Sequence, residues 1–95
     1  MKKIIIIGAG GYGRELLQWI KDINDASHKW EIAGFIDDNL NALDGFECDY
    51  NIIGRISDWQ PKSDEEFALA LGNPKTKEKI VNLMKAKGAV FADII

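Results

Sequence analysis

The feature that most constrains this chain is an abrupt change of pattern near its start. Lys2-Lys3-Ile4-Ile5-Ile6-Ile7 runs straight into Gly8-Ala9-Gly10-Gly11-Tyr12-Gly13-Arg14-Glu15-Leu16-Leu17. Four successive isoleucines show no alternation, so they read as a short strand buried on both faces of a parallel sheet. The glycines then fall at G-x-G-x-x-G spacing, and a helical period begins at once. Each has a separate task. Gly8 permits a tight turn out of the strand, Gly10 lets a ligand approach bare backbone, and Gly13 lets helix and strand pack closely. The helix N-terminus so formed carries unpaired N–H groups and a partial positive charge, which suit an anion. A strand before the glycines and a helix after them is the context this motif requires.

The first helix is expected from Gly11 to about Ile23, with Leu16, Leu17, Ile20 and Ile23 at helical spacing on its buried face. Tyr12 and Trp19 fall at the edge of that face, and Trp19 is read as partly buried packing. Asn24-Asp25-Ala26-Ser27 favour a turn. Trp30 to Ile36 is the second strand, ending in Asp37-Asp38-Asn39. Strand, helix and strand in succession make a right-handed βαβ crossover, which brings the end of strand two beside the glycine loop. An acidic residue about twenty positions beyond such glycines holds ribose hydroxyls in dinucleotide-binding folds, and Asp37 has that place. The plainer reading is that Asp37-Asp38-Asn39 only terminates a strand.

Leu40 to Asp49 has no sustained period and reads as a loop. Its carboxylates Asp44, Glu47 and Asp49 do not match an EF-hand, so they are read as solvated. Tyr50 to Gly54 is a short extended piece, and Ile56 to Trp59 a helical turn with Trp59 over a sheet edge. Glu66 to Leu71 is a third, almost wholly apolar strand, followed directly by Gly72-Asn73-Pro74. Lys75 to Lys87 is helical, with Pro74 at its first position, Asn73 as N-cap and Gly88 closing it. Ala89 to Ala92 is the fourth strand. Arg14, Lys75 and Lys77 sit in first helical turns, where the macrodipole disfavours cations. Together they predict a basic rim at one end of the sheet, with Arg14 and Lys75 as candidate phosphate contacts.

These elements predict an α/β fold, a half-Rossmann three-layer unit. Its parallel sheet has about four strands in the order 2-1-3-4, with helices on both faces. The ligand crevice lies between the carboxyl ends of strands one and three, bordered by Gly8–Gly13, by Gly72-Asn73-Pro74 and by Asp37-Asp38. Ninety-five residues make a single domain spanning residues 1–95. A net charge of −3 argues against nucleic acid as partner, and the longest apolar run is too short to insert into a membrane. One cysteine, Cys48, excludes an internal disulfide and fits a reducing cytoplasm. With His28 as the lone histidine, no metal site is expected.

Catalytic residues are not found either. Ser57 has no G-x-S-x-G setting, Cys48 lies in an acidic loop that disfavours its thiolate, and His28 stands alone. No Lys-Ser or Lys-Thr follows the last glycine, which excludes a P-loop. The residues therefore describe a binding domain. On their own they leave open an NAD-binding piece of an oxidoreductase or a stand-alone nucleotide sensor.

The ordered set of Lys3 to Glu15, Gly34-Phe35-Ile36-Asp37-Asp38, Ala70-Leu71-Gly72-Asn73-Pro74 and Lys87-Gly88-Ala89-Val90-Phe91 resembles a known domain. It is similar to the N-terminal domain of bacterial sugar O- and N-acyltransferases, of the sialic acid O-acetyltransferase and bacillosamine N-acetyltransferase type. The resemblance covers essentially the whole chain. It implies that this domain binds a nucleotide sugar, typically UDP-linked. A C-terminal left-handed β-helix of hexapeptide repeats would bind acetyl-CoA, supply the catalytic histidine and build a homotrimer, leaving the present domain alone a monomer. Gly8, Gly10, Gly11, Tyr12 and Gly13 would then lie against the nucleotide, Asp37 and Asp38 would contact its uridine part, and Gly72, Asn73 and Pro74 would border the sugar and phosphate. The segment at Asp93-Ile94-Ile95 is expected to lead towards that second domain.

Overall fold

The computed structural model describes residues 2–92, and its centre is β1 (Lys2–Ile7). β1 pairs in parallel with β2 (Trp30–Ile36) on one side and β4 (Glu65–Leu69) on the other. Its isoleucines divide strictly by pleat. Ile4 and Ile6 face α1 (Gly11–Ser27) and pack with Leu17, Ile20 and Phe35. Ile5 and Ile7 face α2 (Pro74–Ala86) and pack with Met84, Phe67 and Ile56. All four are 0% exposed. Each such side chain taken from water contributes about 1.5–3 kcal/mol, so the unalternating run anchors both layers of the core.

The expected order 2-1-3-4 is present as β2-β1-β4-β5, with β5 at Val90–Phe91 pairing in parallel with β4. The strand count needs correction, because the sheet has five strands in the order β3-β2-β1-β4-β5. β3 (Ile52–Gly54) is the short extended piece, and it pairs in parallel with the outer edge of β2. Three residues carry no readable period. Backbone bonds make the strand: Phe35 N–H donates to Asn51 O at 3.0 Å and Asp37 N–H to Gly54 O at 3.1 Å.

Helix α1 also runs four residues past the expected Ile23, to Ser27. Asn24 does not break it. Its Oδ1 accepts from Lys29 N–H and Trp30 N–H while its Nδ2 donates to Trp30 O, so the turn-forming side chain ties the helix to the start of β2. The chain reverses at His28, whose φ of 48° is left-handed. The second helix follows its sequence signals closely. Asn73 Oδ1 accepts from Lys75 N–H and Thr76 N–H, and Pro74 occupies the first turn. At its end Gly88 N–H donates to Lys85 O and Ala89 N–H to Met84 O, a Schellman closure with Gly88 at φ +90°.

β4 begins one residue earlier than expected and ends at Leu69, two before Leu71. Trp59 does lie against the sheet edge: a Cβ at Gly54 would meet its ring at 2.9 Å. Trp19, read as partly buried, is 60% exposed. The tail Asp93-Ile94-Ile95 lies outside the described residues.

Candidate functional site

The carboxyl ends of β2, β1 and β4 are locked side by side. Gly8 N–H donates to Ile36 O and Ala70 N–H to Ile7 O, both at 2.9 Å. The chain leaves β1 at Gly8 with φ +99°, and a Cβ there would lie 2.8 Å from Ala70 O. A Cβ at Gly13 would overlap the carbonyl oxygen of Gly8, which is the close helix–strand contact expected of the third glycine. Gly10 differs: nothing lies within 4 Å of a Cβ built on it. The middle of the loop is bare backbone facing open space.

Asp37 reaches this loop directly. Its Oδ2 accepts from Ala9 N–H at 2.9 Å, and its Oδ1 accepts from Asn39 N–H at 2.8 Å. Asp38 turns away. Its Oδ1 accepts from the Ser57 N–H and hydroxyl, at 3.1 and 3.2 Å, so the exposed carboxylate is tied to the turn after β3. The two carboxylates therefore face different partners. Successive residues leaving a strand point in opposite directions, and different segments hold them.

The two helix N-termini at this end are unlike. Asn73 fills the first turn of α2, whereas no side chain caps α1 and no acidic residue occupies its first turn. Arg14 lies one turn into α1, and its Nη2 comes within 4.0 Å of a Cβ built on Gly11. The side chain thus runs back towards the N-terminus, as helical side chains do. Its guanidinium stacks on Phe46, 3.7 Å from the ring centroid. Lys75 is exposed beside the filled terminus of α2. Lys77 is likewise exposed on the first turn of α2, and Arg14 is the cation beside the uncapped terminus.

The second loop touches the first through Tyr12. A Cβ at Gly72 would lie 2.8 Å from the Tyr12 ring, so the glycine admits the aromatic side chain. Gly72, Asn73 and Pro74 are exposed on that side. Tyr12 and Trp19 rim a shallow apolar cleft of about 190 Å³ over Leu69–Leu71. Sequence reasoning missed Phe46, which lies in an aperiodic loop, and gave Ser57 no part in holding Asp38. Neither contact carries a local signal.

Chemically, the arrangement can hold an anion and accept hydrogen bonds from a ligand. Among the described residues no cluster of His, Cys, Asp or Glu could hold a metal ion, and no helix is long and apolar enough to cross a membrane. His28 lies exposed at the opposite end of α1 from the loop. No curated protein matches the chain. A family model does: the one described as the PglD N-terminal domain matches residues 3–84, from β1 into the last turns of α2. That match extends over the glycine loop, Asp37-Asp38 and the Gly72-Asn73-Pro74 loop together, and the chain belongs to the family of PglD N-terminal domains, found at the N-terminus of bacillosamine-type sugar acetyltransferases.

Proposed function

We propose that this domain binds the nucleotide-sugar substrate of a sugar O- or N-acetyltransferase, with a UDP-linked sugar as the ligand class. The observation that carries the reading is the uncapped N-terminus of α1 beside a bare Gly10, with Arg14 at the same terminus and Asp37 fixed on the adjoining backbone. The diphosphate would lie against Gly10, Gly11 and Arg14, where N–H groups, helix dipole and guanidinium all favour negative charge. The uridine would lie on the β2 side near Asp37 and Asp38, and the sugar on the β4 side near Tyr12 and Gly72-Asn73-Pro74. Acetyl-CoA would be the acyl donor of the longer, trimeric cytoplasmic protein, and its general base would come from another domain. By itself the present domain binds and does not catalyse.

Titration of the chain by calorimetry with UDP, UDP-sugars and NAD tests this. Heat of binding with uridine nucleotides, and none with NAD, is the expected result. Binding of NAD with no response to any uridine nucleotide would favour the oxidoreductase reading and sink this one.

A further inference from the structure

We propose that Phe46 is a positioning residue for the diphosphate part of the ligand: it fixes the Arg14 guanidinium at the open end of α1. The inference rests on the nucleotide-sugar reading and adds to it a residue that no glycine motif would identify.

Three observations converge. First, Arg14 stacks on Phe46 at 3.7 Å, a face-on cation–π distance, while Nη2 stays beside Gly11. Second, among the described residues Arg14 makes no hydrogen bond or ion pair with a side chain, and α1 has no acidic residue in its first turn. A cation held there opposes the helix dipole, and an aromatic face supplies attraction without neutralising it. The fork of N–H donors stays free for an anion. Third, Phe46 is placed for this contact by the turns around it and not by a hydrophobic pocket. Phe46 N–H donates to Leu43 O and Ala42 N–H to Asn39 O, while Leu43 and Ala42 pack on the α1 side of the core. Phe46 itself is 55% exposed and is not part of either buried cluster. The same segment starts at Asn39, whose N–H is held by Asp37, so the residue that fixes the glycine loop also anchors the strap carrying Phe46.

The test is a double-mutant cycle read by ligand affinity. Phe46→Ala is expected to weaken UDP binding about two- to fivefold, the worth of an exposed cation–π contact, and to leave uridine binding unchanged. Phe46→Tyr should restore UDP affinity, whereas Phe46→Leu, which keeps apolar bulk without the ring face, should not. In an Arg14→Gln background, Phe46→Ala should cause no additional loss. Equal losses for UDP and uridine, or the same loss with Arg14 already replaced, would overturn the positioning role. A wild-type chain that binds UDP, with Phe46→Ala binding it equally well, overturns this inference alone. A wild-type chain that takes up no uridine nucleotide overturns the nucleotide-sugar reading with it.

Discussion

The carboxylate of Asp37 accepts a hydrogen bond from the backbone N–H of Ala9 at 2.9 Å, joining residues 28 apart in sequence. It joins the end of β2 to the glycine loop and leaves the first-turn N–H groups of α1 to something else. A carboxylate bonded to backbone N–H groups at both oxygens is a structural brace as well as a candidate ligand contact.

Replacing Asp37 should therefore affect stability and binding together. Asp37→Ala leaves Ala9 N–H buried without its partner, at a cost of about 1–3 kcal/mol. Asp37→Asn retains one carbonyl acceptor and should cost less. Denaturant melts of both variants, followed by UDP titration of the folded fraction, check the order wild type, Asn, Ala in both quantities.

The glycines of the loop should separate fold from ligand. Gly13→Ala forces a methyl group into the Gly8 carbonyl and should destabilise by about 3 kcal/mol or more. Gly10 has φ −73° and open space around its Cα, so Gly10→Ala should leave the melting temperature unchanged or slightly raised. A methyl group there still stands where ligand would approach, and UDP affinity should fall about tenfold, a loss of about 1.4 kcal/mol. Equal affinity in Gly10→Ala would show that the ligand does not touch this backbone.

Glu65 is the buried carboxylate of the α2 side, 6% exposed. Its Oε1 accepts from the Trp59 indole N–H at 3.1 Å and from Lys62 N–H at 3.0 Å. Glu65→Ala strands both donors and should cost about 2–3 kcal/mol, with Glu65→Gln costing less because an amide oxygen still accepts. Trp59 covers Gly54 at the edge of β3. Its fluorescence should shift to the red in Glu65→Ala if the ring loosens.

The Lys21–Asp49 ion pair, 2.7 Å long, ties α1 to the loop that carries Phe46. The hydrogen bond to Lys21 holds the Asp49 carboxyl below its ordinary 3.8, and the same bond, acting against partial burial, raises Lys21 above its ordinary 10.5. The lowered acid contributes stability above pH 3.8 that fades as pH falls through its folded value. The raised base contributes below 10.5 and fades as pH climbs through its own. The pair should thus act as a plateau between those limits. Because Asp49 is exposed, the effect should be small and should vanish in about 1 M salt. Melting Asp49→Asn beside wild type across pH, at low and high salt, measures it.

Much of the fold was legible because its signals are local. The isoleucine run, the Asn73-Pro74 helix start and the Gly88 stop each act within a few residues, and each element appeared where its signal lay. Readings failed where an element depends on a distant partner. β3 exists because β2 offers it an edge, and α1 continues past Ile23 because Asn24 binds the backbone of Trp30.

The candidate site divides in the same way. From the sequence alone come the glycine spacing, a helix start directly after it and an aspartate at the end of the second strand, because helix and strand periods place these residues without reference to the rest of the chain. Only the tertiary structure decides that Asp37 turns to Ala9 while Asp38 turns to Ser57, and that Arg14 rests on Phe46. Those choices pit one side-chain direction against another between segments 19 to 32 residues apart. Packing and hydrogen-bond geometry resolve them, and neither is written in any local period.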